Sequence, residues 1–197
     1  MRIDAPAGLN PEETKCFNEI VKPQLEELYS YEYDVFDFKN VKIFISKDKF
    51  PDNTIKPSME KIRSILSKMP EKGLKFISDI YFVSCHCKED NHKEIKGRTL
   101  PIIYRIIIYP KACDRLEVIL AHEIGHLIFE KGLSKELKLL FASEVVKSSL
   151  QIVSWSEKER DKFIREEFAN CYDNFINNQE RLRKFPPLCD FFTEYFI

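Results

Sequence analysis

Apolar and polar residues follow two different patterns along the chain, which separate a first half that contains strands from a second half that is mainly helical. Apolar residues recur with the spacing of a helix over residues 11–31 and 59–69, and Pro23 is expected to kink the first of these helices. Three short runs rich in β-branched and aromatic residues predict strands. These runs are residues 41–45, 76–84 and 100–109.

The most apolar predicted helix begins at Asp114 and ends before Gly132, which suits the residue after a helix. Asp114 and Glu117 predict a capping box at its start. Because leucine and isoleucine occupy nearly every side of this helix, we expect it to lie inside the protein. A second capping box, Ser156 with Glu159, opens a later helix. After the apolar helix, further helices are predicted over residues 135–153 and 156–177. A short aromatic segment, residues 188–197, follows them.

The apolar helix contains a pattern that is typical of zinc sites, His122-Glu123-Ile124-Gly125-His126. Residues four apart share one face of a helix, so both histidines can bind a single ion. The glutamate between them can then act as a general base toward a water molecule bound to that ion. This arrangement indicates metal-assisted hydrolysis.

Two histidines leave a catalytic zinc ion one protein ligand short, because such sites normally have three. Glu166, in a later predicted helix, is the expected third ligand, and Glu167 is the alternative. Ala169 shares a helix face with Glu166, and its small side chain would allow the two helices to approach closely. Asn170 follows Glu166 by four residues and is predicted to support a ligand histidine.

The combination of His-Glu-x-x-His with a later Glu-x-x-Ala-Asn resembles the gluzincin metallopeptidases. The isoleucine-rich strand before the apolar helix is similar to that of the ImmA/IrrE-type regulatory peptidases. The run Glu166-Glu167-Phe168-Ala169 and the aromatic C-terminal segment are similar to the lethal-factor and Pro-Pro-endopeptidase group. The resemblance covers roughly residues 100–175.

This resemblance implies a zincin-like fold of the α+β class. The N-terminal part would be mixed α/β, with a small twisted sheet and the active-site helix, and the C-terminal part would be helical. The chain would form one domain, residues 1–197, with an α/β lobe over 1–132 and a helical lobe over 133–197. Residues 100–109 would form the edge strand of the sheet and pair with the backbone of a peptide substrate.

The resemblance also implies a function, a zinc-dependent metalloendopeptidase that hydrolyses peptide bonds. His122, His126 and Glu166 would hold one Zn²⁺, and Glu123 would be the general base and acid. The lethal-factor group has a tyrosine seven residues before its ligand glutamate, where this chain has Glu159. The group that stabilises the oxyanion is therefore open. The candidates are Tyr104, Tyr109 and Tyr172.

The composition of the chain limits which binding partners and which cellular compartment are expected. The 197 residues carry 31 Lys and Arg against 32 Asp and Glu, a net charge of −1, which predicts no nucleic-acid partner. The sequence contains no apolar run long enough to span a membrane and no apolar leader at its start. Six scattered cysteines do not resemble a disulfide framework, so we expect a cytoplasmic protein. The resemblance to metallopeptidases implies a peptide or protein substrate as the partner. The sequence leaves the oligomeric state open.

Alternative interpretations remain at this point. The chain could be a catalytically inactive, zincin-fold regulator or interaction protein that binds metal without turnover. It could also be a self-inhibited peptidase whose segment 187–197 occupies the cleft. Cys85-His86-Cys87 with His92 could form a second metal site, but the spacing fits no common zinc module and favours a solvated loop.

Overall fold

The chain folds into two units, each with its own set of contacts. The structure, a computed structural model, describes residues 3–52, 54–85, 95–148 and 155–197, and the side chains at 112–114 and 148 are not considered. We call Met1–Pro57 with Ser78–Asp114 the sheet unit, and Ser58–Ile77 with Arg115–Ile197 the helical unit. The predicted lobes, residues 1–132 and 133–197, divide the chain at a different place, since the helix with both histidines groups with the C-terminal helices.

Two short helices open the sheet unit, α1 (Pro11–Cys16) and α2 (Lys22–Leu28). A π-helical turn over Phe17–Val21 separates them. It lies directly before Pro23, whose ring has no N–H to donate and would clash with the carbonyl of the preceding turn. The helix predicted over 11–31 is thus present, with the predicted interruption, but it ends earlier.

Within the described residues, the sheet has five strands in the spatial order β1-β2-β3-β5-β4. β2, β3 and β5 run parallel to one another, and the outer strands β1 and β4 are antiparallel to their neighbours. The strands are β1 (Tyr33–Phe38), β2 (Val41–Ser46), β3 (Asp79–Phe82), β4 (Gly97–Leu100) and β5 (Arg105–Ile108). The chain is therefore mixed α/β, with a mixed sheet and a helical C-terminal part.

The prediction of a single edge strand over residues 100–109 is wrong. Leu100 ends β4, a 3₁₀ turn follows at Pro101–Ile103, and Tyr104 takes the left-handed conformation with φ of 56° before β5 begins. Proline cannot donate to a strand ladder, which explains the break. β5 lies between β3 and β4, so β4 forms the edge on this side.

One face of the sheet is covered by the two N-terminal helices. Aromatic and aliphatic side chains from both layers form a single buried cluster, which fixes the helices on the strands. The cluster consists of Phe17, Val21, Leu25, Leu28, Tyr81, Val83, Leu100, Ile107 and Tyr109.

The helical unit contains the remaining helices of the described residues. They are α3 (Met59–Ser67), α4 (Glu71–Leu74), α5 (Leu116–Leu127), α6 (Lys135–Ser148), α7 (Glu157–Asn177), α8 (Gln179–Leu182) and α9 (Pro186–Phe196). The capping box of Ser156 and Glu159 at the start of α7 is confirmed. The predicted helix over 135–153 is present as α6, and residues 149–154 lie outside the described ranges. No described helix is both long enough and apolar enough to cross a membrane.

An aromatic core joins α6, α7 and α9. The Phe192 ring lies with its centroid 5.1 Å from that of Phe168 and 5.7 Å from that of Phe175, and it is fully buried. Phe141 of α6 packs on the same group, 5.0 Å from Phe168. The hypothesis that segment 187–197 occupies the cleft is therefore not supported, because this segment forms α9 and supplies core side chains.

We predict that Phe192→Ala lowers the free energy of unfolding by about 3–5 kcal/mol, because it removes a fully buried ring from this core. Urea denaturation followed by circular dichroism measures the change. Phe185→Ala is the matched control, since that ring is 49% exposed and should cost less than half as much. Equal losses in the two variants would contradict the assignment of α9 to the core.

Candidate metal centre

The helix that carries both histidines begins and ends differently from the prediction. α5 starts at Leu116 after a 3₁₀ turn over Pro110–Arg115, and Arg115 precedes it without a side-chain cap. The helix thus begins two residues later than predicted, and the Asp114 side chain, half of the predicted capping box, lies outside the described residues. Glu117 instead forms an ion pair with Lys68, 3.3 Å away.

At its other end, α5 continues into a π-helical turn over Ile128–Gly132. The prediction that Gly132 is the residue after the helix is wrong, since Gly132 is the last residue of this turn. Its φ is not positive. Glycine at this position avoids a clash, because a Cβ here would lie 2.8 Å from the Phe76 ring.

Close contact between α5 and α7 brings the metal-ligand candidates together. A Cβ added to Gly125 would lie 2.8 Å from the Cα atom of Ala169 and 3.2 Å from Cβ of Tyr172, so any larger residue would push the helices apart. Gly125 lies between the two histidines of the motif, and Ala169 lies one turn after Glu166. The predicted use of a small residue on α7 is confirmed, with a glycine opposite it.

Three donor atoms converge where these helices meet. The Nε2 atoms of His122 and His126 are 3.1 Å apart. The carboxylate of Glu166 reaches both, with one oxygen 3.6 Å from His122 Nε2 and the other 3.8 Å from His126 Nε2. All three residues belong to the helical unit, and their donor atoms lie within 4.8 Å of one another.

These separations fit a zinc ion. Zinc–nitrogen and zinc–oxygen bonds of roughly 2.0–2.2 Å in a tetrahedron place neighbouring ligand atoms about 3.3–3.5 Å apart. The observed distances of 3.1, 3.6 and 3.8 Å fall on either side of that value. Two imidazole nitrogens and one carboxylate oxygen are also a ligand set found in catalytic zinc sites, which leave a further position open.

Charge and burial set the protonation of the two histidines. For His122, burial opposes the charged form, but the Glu166 carboxylate 3.6 Å away and the negative charges of Glu123 and Asp173 outweigh it and raise the pKa. For His126, burial and then the charge of His122 lower the pKa to about 4. With their Nε2 atoms in contact, the imidazoles cannot both carry an additional proton. A cation that binds here competes with a proton at His122.

The carboxylate of Glu166 is held in its charged form. Its polar contact with His122, 3.6 Å away, is the largest influence and lowers its pKa, while its partial burial acts in the opposite direction. Electrostatic attraction to the imidazoles and to Lys162 lowers the pKa further. An ionised carboxylate is the form that binds a metal ion.

Glu123 is unusual in its burial. It is 7% exposed, and it is the one charged side chain classed as buried among the described residues. Burying a carboxylate is costly unless another group stabilises its charge. Its negative charge acts on the adjacent His122 and helps to raise the pKa of that imidazole. A buried acid next to the donor cluster is what a general base requires.

Two predicted alternatives lie away from the donor atoms. Glu167, the alternative third ligand, accepts a hydrogen bond from the side-chain amide of Asn170 at 3.3 Å. Both residues line a groove of about 310 Å³ together with Arg181 and Leu182. Glu166, rather than Glu167, therefore joins the histidines. The support of a histidine by Asn170 stays a prediction, since its amide contacts Glu167 in this structure.

The three tyrosines proposed to stabilise the oxyanion differ in their burial and in the unit to which they belong. Tyr172 is fully buried, and its hydroxyl lies 3.9 Å from the sulfur of Met69, so it is a core residue. Tyr104 is 42% exposed and Tyr109 is buried, and both belong to the sheet unit. Their proposed role stays a prediction.

The sequence interpretation missed Asp173 and Asn177, one and two turns beyond Ala169 on α7. The side-chain amide of Asn177 donates to Asp173 Oδ1 at 2.8 Å and to the backbone carbonyl of Glu117 at 3.3 Å. The signal was present, since Asp173 follows Glu166 by seven residues and so shares its helix face.

His122, His126 and Glu166 form the one such group of potential ligands found among the described residues. The second site suggested for Cys85, His86, Cys87 and His92 falls on residues outside the description, apart from Cys85.

A scan against models of protein families and searches of curated proteins and of solved structures find no match for this chain. The chemistry of the site therefore follows from its own residues.

We predict that Glu166→Gln weakens zinc binding by roughly 100-fold or more, beyond the ~10- to 100-fold typical of losing a group that supports a ligand. Glu167→Gln is the matched control and should bind zinc as the unchanged protein does, because its carboxylate contacts Asn170 instead. Competition with a fluorescent zinc chelator gives both affinities. The reverse ranking would show that Glu167 is the ligand.

Proposed function

We propose that this protein is a zinc-dependent metalloendopeptidase. One observation carries the proposal: the Nε2 atoms of His122 and His126 and the carboxylate of Glu166 converge within bonding reach of a single ion, beside the buried acid Glu123. A bound zinc ion supplies Lewis acidity toward a carbonyl and lowers the pKa of a coordinated water. The resemblance of the motifs to gluzincins also supports the proposal.

The chain's own residues have distinct roles in this proposal. His122, His126 and Glu166 hold the ion. Glu123 accepts the proton of the attacking water and later delivers it to the leaving amine. The position of Glu123 next to His122, whose pKa its negative charge helps to raise, favours this role.

The proposed substrate class is a peptide or protein in an extended conformation. Among the described residues, β1 and β4 are the outer strands of the sheet unit. Main-chain hydrogen bonds to an open strand edge would recognise a peptide with little dependence on its side chains.

We predict that Glu123→Gln reduces peptide hydrolysis by about 10²–10⁴-fold while zinc still binds, because the amide cannot accept the proton of water. Glu117→Gln is the matched control on the same helix, since its carboxylate is half-exposed and pairs with Lys68. Cleavage of a diverse peptide pool, followed by mass spectrometry, gives the activity, and metal analysis gives the zinc content.

The same experiment separates the peptidase from a regulator that binds metal without turnover. A peptidase cleaves some peptides of the pool, loses that activity in a chelator and regains it with zinc. A protein that holds one zinc ion and cleaves nothing would contradict the proposed activity while leaving the metal site in place.

A further inference from the structure

The sheet unit contains a pocket of about 270 Å³, lined by the N-terminal segment, the first two helices and the start of β5. This volume lies below the roughly 300–1,000 Å³ of pockets for drug-sized ligands, which favours a small molecule. The apolar part of the lining consists of Ile3, Phe17, Leu25 and Ile103. All lining residues belong to the sheet unit, so an inference about this pocket does not depend on the proposed metal site.

Arg105 supplies a positive charge to the lining of this pocket. It begins β5 opposite Asp79 of β3, and its Nε and Nη2 atoms both donate to Asp79 Oδ2, at 3.0 and 2.5 Å. Its Nη1 atom donates to the hydroxyl of Tyr29 at 3.0 Å, and the guanidinium lies 4.8 Å from the centroid of the Tyr81 ring. Because the side chain is only 11% exposed, these contacts hold the charge in one place.

The same contacts leave donors for a ligand. They use three of the five N–H groups of the guanidinium, and one further N–H belongs to each of the two terminal nitrogens. Such a pair of N–H groups is what arginine presents to a carboxylate. The Tyr29 hydroxyl accepts from Arg105, so its own proton can be donated to the same ligand group. A cross-strand ion pair accounts for Asp79, and the other donors favour a carboxylate in the pocket.

Asp4 supplies a negative charge to the exposed part of the same lining. A carboxylate has about four acceptor positions, so Asp4 can bind an ammonium group in addition to its contacts within the protein. A lining that offers both a guanidinium and a carboxylate is matched by a ligand that carries both opposite charges. Phe17 and Leu25, which are buried, offer an apolar surface to the remainder of such a ligand.

We propose that this pocket binds a free α-amino acid with an aliphatic side chain. The ligand carboxylate binds to Arg105 and Tyr29, and its ammonium group binds to Asp4. Its side chain packs on Phe17 and Leu25. Pairing of each ligand charge with an opposite charge offsets the cost of removing it from water, and burial of the aliphatic group adds to the affinity.

Isothermal titration calorimetry with L-leucine tests the proposal, together with two analogues that each lack one charge. L-leucinamide lacks the carboxylate, and 4-methylpentanoate lacks the ammonium group. We expect each analogue to bind at least about 10-fold more weakly than L-leucine, because a charged group of the pocket loses its partner. Glycyl-L-leucine, whose leucine nitrogen is an uncharged amide, should bind as weakly as 4-methylpentanoate. It distinguishes a free amino acid from the end of a peptide chain.

Tyr29→Phe and Asp4→Asn are the test variants, because both side chains are exposed and both replacements keep the shape of the residue. We expect each to weaken the binding of L-leucine by about 10-fold, since each removes one polar contact to a charged group. Asp37→Asn is the matched control, an exposed carboxylate on β1 of the same unit, and should leave the affinity unchanged. Circular dichroism confirms that each variant is folded.

Absence of binding of L-leucine, L-isoleucine and L-methionine to the unchanged protein at millimolar concentration would refute the amino-acid site. Equal affinity for 4-methylpentanoate and L-leucine would refute the role of Asp4 and reduce the ligand to a carboxylate. Equal affinity for glycyl-L-leucine would replace the free amino acid by a peptide C-terminus. Unchanged affinity in both Tyr29→Phe and Asp4→Asn would place the ligand elsewhere and overturn the proposal. Each of these outcomes leaves the metal site standing, because that site is tested by zinc binding.

Discussion

The close approach of α5 and α7 at Gly125 and Ala169 is the constraint on which the candidate site depends. A Cβ on Gly125 would meet the Ala169 backbone at 2.8 Å, so the two helices are as near as their main chains allow. This contact brings Glu166 of one helix to the histidines of the other. The aromatic core of α6, α7 and α9 supports α7 from another side, since Phe168 next to Ala169 packs on Phe192. The helix packing therefore determines which side chains could hold a metal ion.

The two imidazoles compete for an additional proton at their contact. The Nε2 atoms of His122 and His126 are 3.1 Å apart, which disfavours protonation of both rings. Burial and then the charge of His122 lower the pKa of His126, while nearby carboxylates, Glu166 foremost, raise the pKa of His122. A divalent cation would satisfy both imidazoles and Glu166 at once. A divalent cation, which these donor atoms fit, is therefore the group that would stabilise the site most.

Local chemistry made much of this arrangement predictable from the sequence. The four-residue spacing of the histidines, the small residue at Ala169 and the capping box at Ser156 each follow from helix geometry, and the structure contains them. The isoleucines of residues 100–109 predict one strand, whereas the structure has a 3₁₀ turn at Pro101–Ile103 between two strands. The role of Asn177 could not be foreseen, because its partner is a backbone carbonyl on a helix sixty residues earlier. Tertiary contacts of this kind leave no local pattern.

X-ray absorption at the zinc edge of the zinc-loaded protein tests the central claim most directly. The account predicts one zinc per chain, with nitrogen and oxygen ligands at about 2.0–2.2 Å and the scattering pattern of two imidazole rings. Loss of one imidazole in His126→Ala would identify the ligand. Sulfur scattering at about 2.3 Å, the distance of a zinc–thiolate bond, or a spectrum that His126→Ala leaves unchanged, would contradict a site built from His122, His126 and Glu166.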